Sequence, residues 1–212
     1  MDSAAKTADF HFYEPSKGHG LRFNPFKAIV APRPIGWIST RSRSGIFNLA
    51  PYSYFNAFCD SPPIIGFASS AEGKDSLRNV RETGEFAFNL VTRALAEQMN
   101  ATSATVAPEV SEFELSGLTP APSRIISAPR VAESPVSFEC KCTEIHQLKS
   151  AAGESIPSWL ALGEVVAVHI DKAFLRDGIY DTAAAQHLAR AGGLGDYFWV
   201  EAATHMGMKR PA

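Results

Sequence analysis

The sequence predicts a mainly β protein with helical attachments, its short strands closing or nearly closing into an antiparallel barrel. Three observations carry this. Six or more short segments are rich in β-branched and aromatic residues. Fifteen Gly and fourteen Pro are scattered as punctuation and form no low-complexity tract. Helical periodicity is confined to two or three stretches.

The elements follow in chain order. In "PIGWIST" (34–40), Ile35, Trp37 and Ser39 alternate with Gly36, Ile38 and Thr40, as on the two faces of a strand. "RSRSG" turns the chain, with Gly45 suited to positive φ, and "IFNLA" returns as the second arm of a hairpin. "IIGFASS" (64–70) is an apolar strand ending in hydroxyls. "KDSLRNVRETGE" predicts a short helix with Asp75 or Ser76 near its N-cap, Leu77 and Val80 on one face and Gly84 as its stop. "EFAFNLV" (85–91) places Phe86, Phe88 and Leu90 together. "TRALAEQMNATS" predicts a second helix capped by Thr92. In "PVSFECKCTEI", Val136, Phe138, Cys140 and Cys142 share a face opposite Glu139 and Lys141. "WLALGEVVAVHI" (159–170) is a long strand with Gly163 as a bulge or close-approach point. "DTAAAQHLARAGG" is a third helical candidate, and "HMGMKRPA" reads as an extended tail.

Composition narrows the function classes. With 212 residues, 45% hydrophobic and 20% charged, the chain can bury a full core in one domain. A net charge of −2 gives neither a basic field for nucleic acid nor a polybasic membrane signal. The first residues lack the basic start and apolar run of a signal peptide. No window approaches the length of a membrane span. Three cysteines, Cys59, Cys140 and Cys142, argue against a disulfide scaffold and for a reducing, cytoplasmic setting.

Several chemistries find no support. The six histidines show no H-x-x-x-H or H-E-x-x-H spacing, so no metal site is expected. Cys140 and Cys142 continue an apolar face and read as core. There is no G-x-S-x-G elbow. "GGLGDY" (192–197) falls short of G-x-G-x-x-G and has no βαβ unit around it. The stretch "ASSAEGKDSLRN" (68–79) is more suggestive. It ends a strand in Ser69 and Ser70, then brings Lys74, Asp75 and Ser76 to a helix start. A cation, a hydroxyl and helix N-terminal amides suit a phosphate. Taken alone, the same residues also make an ordinary capped helix.

The stretch "NLAPYSYFNAFCDSPPIIGF" (48–67) shifts the balance. Prolines interrupt it, and Asn48 and Ser53 sit among large aromatics. With Arg33, Ser39 and Thr40 just upstream, these residues offer donors and acceptors to the edge of a planar heterocycle such as an isoalloxazine.

The segments "RPIGWIST", "NLAPYSYFN", "SPPIIGFASS" and "KDSLRNVRETGEFAFNLV", in this order, resemble the flavin reductase-like, FMN-binding split-barrel family. Within it they resemble the branch of conserved flavoprotein oxygenases and NADH:FMN oxidoreductases. The resemblance runs through "GLTPAPS", "PRVAESPVSFEC", "LGEVVAVHI" and "ARAGGLGDYF", covering roughly residues 24–198. It implies an FMN-binding split β-barrel. It places the family's strand motif on Ser39 and Thr40, and its N-x-A-P-x-S motif on Asn48, Ala50, Pro51 and Ser53, beside the ring or ribityl chain. Phe55 would help wall the site, and Ser69, at the strand end ahead of Lys74, is a further expected cofactor contact. The K-D-T motif falls on Lys74, Asp75 and Ser76, which would grip the phosphate, with Arg33 a further contact. The R-x-G-G ending falls on Arg190, Gly192 and Gly193 ahead of Tyr197.

The resemblance further implies hydride transfer from NAD(P)H or another electron donor to FMN, with no obligatory general base. Reduced flavin would pass electrons on to free flavin, oxygen or a partner oxygenase. It also implies a homodimer with flavin near the interface, while charge and hydropathy point to no nucleic-acid or membrane partner. A flavin carrier or sensor with little turnover is the alternative. A haem barrel would want an axial ligand, and no histidine lies in 33–76. The expected divisions are an N-terminal extension (1–23), the barrel domain (24–200) and a C-terminal tail (201–212).

Overall fold

The structure is a computed structural model and describes residues 9–211. Its strands are β1 (Arg33–Pro34), β2 (Gly36–Arg41), β3 (Phe47–Tyr52), β4 (Phe55–Asp60), β5 (Pro63–Ser69), β6 (Glu85–Asn89) and β7 (Pro120–Ala121). The remainder are β8 (Arg130–Val131), β9 (Val136–Lys149), β10 (Ser155–Ile170), β11 (Leu175–Arg176), β12 (Ile179–Tyr180), β13 (Leu188–Arg190) and β14 (Tyr197–Trp199). The helices are α1 (Phe26–Ile29), α2 (Asp75–Thr83), α3 (Ala96–Ala101) and α4 (Glu112–Ser116).

One seven-stranded antiparallel sheet, in the order β3-β2-β6-β9-β10-β5-β4, dominates. Its two edge strands, β3 and β4, are consecutive in the chain, so Ser53 and Tyr54 must bridge them. Tyr52 packs on Phe67 across this seam, with ring centroids 4.8 Å apart. The Ala68 N–H donates to the Tyr54 carbonyl at 2.8 Å. The sheet therefore curls into a split barrel, the mainly β fold class expected.

Alternation along the strands builds two cores. Ile38, Phe86, Phe88, Val136 and Cys140 fill the barrel interior. Trp37 and Leu49 point the other way and pack with Met99 of α3 and Phe113 of α4. Both faces of β2 are consequently buried, which explains its apolar character. Gly45 takes φ +92° in the β2–β3 turn. Gly163 sits at a register shift between β9 and β10. A Cβ there would lie 2.4 Å from Phe86 Cε1, so the interior has room for hydrogen only.

Two readings need correction. The segment "DTAAAQHLARAGG" forms turns and β13, with Gln186 at φ +47°. Its alanines favour a helix by only tenths of a kcal/mol each, whereas the ladder supplies partners: Arg190 registers with Arg33, and Ala189 with Pro34. Lys74, one residue earlier than expected, is the N-cap of α2, and its side chain makes no capping hydrogen bond. Glu139 lies on the face of β9 opposite Cys140, as expected, and is fully buried there.

Candidate functional site

The candidate site forms where β3 passes the N-terminus of α2. The β2–β3 hairpin fixes Asn48 opposite Thr40. Asn48 Nδ2 donates to Ser76 Oγ at 3.1 Å, and Asn79 Nδ2 donates to Thr40 Oγ1 at 3.0 Å. These two buried amides tie α2 to both strands. A cavity of about 150 Å³ opens beside them, lined by Asn48, Ala50, Pro51, Lys74, Asp75 and Ser76. The segment Thr102–Val106 and Glu112 close its far side. A second cavity of about 270 Å³ adjoins it, lined by Ser53, Asn100, Arg190 and Tyr197 among others. Pro51 and Ser103 line both cavities, so the two form one groove along β3.

The two ends of the groove differ in chemistry. At the α2 end, the amides of the first helical turn have no intrahelical acceptor, and the helix dipole favours an anion. Lys74 is exposed there, and no ion pair involves it among the described residues. Asp75 is already paired with Arg78. Glu112 is a buried carboxyl on the same wall and accepts the Leu49 N–H at 2.9 Å. Burial pushes its pKa above the usual carboxylate range, with the Leu49 hydrogen bond opposing. Burial likewise pushes the Tyr52 hydroxyl up to about 12, so it stays a neutral phenol. Thr102 Oγ1 accepts Trp37 Nε1 at 2.9 Å and donates to the Met99 carbonyl at 2.7 Å, which leaves it no proton for a ligand. At the other end, Arg190 donates to the carbonyls of Asp196 (2.7 Å) and Leu194 (2.9 Å). Its guanidinium lies 4.7 Å from the centre of the Tyr197 ring.

Of the thirteen residues expected at a cofactor site, the groove gathers eight: Asn48, Ala50, Pro51, Ser53, Lys74, Asp75, Ser76 and Arg190. The other five line neither of its cavities. Ser39 is buried, donating to the Pro129 carbonyl and accepting Asn89 Nδ2 at 3.1 Å. Thr40 is buried against Asn79. Ser69 donates to the Ala71 carbonyl at 3.1 Å. Phe55 stacks on Phe88, centroids 4.9 Å apart. Arg33 gives its terminal nitrogens to the carbonyls of Lys27, Val30 and Ala191. Groove residues outside those expectations include Tyr52, Glu112 and the Thr102–Val106 segment at the α2 end, and Ile35, Met99, Asn100 and Leu194 at the other. The hydroxyl-rich run "ATSAT" after α3 was the available signal.

Residues 30–188 match the family model of the flavin reductase like domain. The chain belongs to the flavin reductase-like family. An uncharacterized protein of Halalkalibacterium halodurans is 36% identical over 168 residues, 77% of this chain and 80% of that protein. One of Aquifex aeolicus is 47% identical over 117 residues, but that match spans 60% of the relative and 53% of this flavin reductase-like chain. Among solved structures, nitrilotriacetate monooxygenase component B from Bacillus cereus superposes with a TM-score of 0.77 at 28% identity. That superposition covers 91% of this chain and 98% of the other. Among the described residues, no helix is long and apolar enough to cross a membrane.

Proposed function

We propose that this flavin reductase-like protein binds FMN along the β3 groove and transfers hydride to it from NAD(P)H. The observation that carries the reading is the continuity of the groove. A lysine and a helix N-terminus stand at one end, and a backbone-lined wall of Ala50, Pro51 and Ser53 leads away from them. The donor set fits the group. A phosphate wants a cation, hydroxyls and unpaired amides, and the α2 end supplies Lys74, Ser76 and the first helical turn. The two cavities together reach the size of a small-molecule site.

Bound flavin would supply the redox chemistry, taking up and releasing the electrons. The chain's residues anchor and orient. Lys74 and Ser76 would fix the phosphate. Asn48 keeps Ser76 in place through the 3.1 Å hydrogen bond, and Glu112 holds β3 through Leu49. Ser53, beyond Pro51, would meet the ribityl chain or ring. The protein would act as a homodimer with flavin near the interface. The Bacillus cereus neighbour is by name one component of a monooxygenase. That supports a role in which reduced flavin or electrons pass to a partner or to oxygen.

The test is direct. Purified protein should carry or take up FMN, identified after release by absorbance and mass, and should then oxidise NADH or NADPH at steady state. A preparation that stays colourless and does not bind added FMN refutes the reading. A yellow protein that oxidises neither nucleotide refutes the hydride step and identifies a flavin carrier.

A further inference from the structure

The open end of the barrel holds another cavity, of about 660 Å³. Its floor is core: Ile65, Phe88, Leu90 and Phe138. β13 supplies Leu188 and Ala189 to its wall, and Val168 and Ile170 of β10 stand exposed at its rim. None of its lining residues is Asp, Glu, Lys or Arg. Its polar side chains are Asn56, Tyr180 and His187. Asn56 is exposed, its Oδ1 engaged by the Ala57 N–H at 2.9 Å and its Nδ2 left to the solvent side. The remaining two pair with each other: the Tyr180 hydroxyl lies 2.8 Å from His187 Nε2.

That pair is the partly buried polar handle of a chamber whose other side chains, Asn56 apart, are apolar. Burial holds His187 below its usual pKa and pushes Tyr180 up to about 12, so both are neutral near pH 7. One proton lies between oxygen and nitrogen. If the phenol donates it, the phenol oxygen still accepts; if the imidazole donates it, the phenol proton stays available. Either arrangement leaves one hydrogen bond for a ligand. A charged ligand would lose its hydration with no countercharge in the wall. A wholly apolar one would leave the handle unused.

We propose that this cavity binds a small neutral ring compound bearing one hydroxyl or carbonyl group, read by the Tyr180–His187 pair. The cavity neighbours the β3 groove, since Ile35 lines both, but the proposal stands apart from the flavin reading. The experiment is calorimetric titration of the purified protein with 4-methylphenol, toluene and benzoate, with and without added FMN. We expect saturable binding of 4-methylphenol, weaker binding of toluene and none of benzoate. Tyr180→Phe keeps the ring and removes the hydroxyl. It should weaken 4-methylphenol about tenfold, the worth of one good hydrogen bond, and leave toluene unchanged. Ala57→Phe, on an exposed edge strand, should narrow the mouth and weaken both phenol and toluene. Absence of saturable 4-methylphenol binding by the wild type overturns the proposal, as it would if a second copy of the chain covered the mouth. So does an unchanged affinity in Tyr180→Phe. A protein that binds FMN but no phenol refutes this site alone; one that binds phenol but no FMN refutes the flavin reading alone.

Discussion

Replacing Glu139 by Gln tests how the barrel fixes the loop over its outer face. Glu139 lies on β9 with no exposure to solvent. Its carboxylate accepts the N–H groups of Arg124 (2.7 Å), Ile125 (2.6 Å) and Ile126 (3.1 Å). His169 Nε2 lies 2.6 Å away. Burial alone would raise the pKa, yet these donors together outweigh it and hold the carboxyl at about 2, below its ordinary 4.5. At about 1.4 kcal/mol per tenfold change in proton affinity, this difference contributes about 3 kcal/mol to stability. Because the folded pKa is depressed, the contribution is complete above pH 4.5 and is lost as pH falls from there towards 2. In Glu139→Gln the amide keeps one oxygen and cannot satisfy every N–H. An unpaired buried donor costs about 1–3 kcal/mol, so the variant should be about 2–4 kcal/mol less stable at neutral pH. Urea unfolding at pH 7, 5, 4 and 3 measures the gap between variant and wild type. The gap should be constant from pH 7 to 5 and narrow below 4.5. A gap under about 0.5 kcal/mol at pH 7, or one that does not change down to pH 3, would refute the reasoning. The loop matters to the site's surroundings, because its Pro129 carbonyl takes the Ser39 hydroxyl and its Val131 N–H donates to Asn89 at 2.8 Å.

Two further outcomes are expected. Lys74→Ala should lower FMN affinity tenfold or more while leaving riboflavin affinity nearly unchanged, since a hydrogen bond to a charged group is worth about 1.5–3 kcal/mol; equal losses in flavin fluorescence titrations would show that Lys74 does not meet the phosphate. Gly163→Ala should destabilise the fold by about 1–3 kcal/mol, because the new methyl would sit 2.4 Å from Phe86 Cε1; an unchanged urea midpoint would mean that the bulge opens to admit it.

What the sequence revealed about the fold was local. A strand's two-residue period is written in five or six consecutive residues, so the faces of β2, β6 and β9 could be read directly: Ile38, Phe88 and Cys140 all point into one core. Gly84, the expected stop of α2, takes φ +71° at its C-cap. What the sequence concealed was long-range. Nothing near Ala189 announces that Pro34 is its ladder partner, so an alanine-rich stretch reads as helix. Nothing near Glu139 announces three amides from residues 124–126 arriving over it. A charged residue opposite an apolar face reads as solvated by default. Only the returning loop makes its burial tolerable.

The same limit governs the basic residues of the candidate site. Arg33, Lys74 and Arg190 are the three basic residues expected at the site, and sequence alone does not say what else their donors must bind. In the fold they separate by what else their donors can do. A guanidinium presents five donors in a rigid planar fork, suited to gathering backbone carbonyls. Arg33 does so for Lys27, Val30 and Ala191, joining the α1 region to the chain after β13. Arg190 does so for Leu194 and Asp196, shaping the glycine-rich turn. Moving either guanidinium onto a ligand would strand carbonyls that it now satisfies. Lys74 carries no such obligation. Its ammonium stands exposed at the start of α2 and makes no side-chain hydrogen bond to the described residues. If a phosphate enters the groove at the helix N-terminus, Lys74 is the cation that can turn to it without dismantling the fold. Of the three basic residues expected at the site, Lys74 is the one whose side chain makes no hydrogen bond among the described residues.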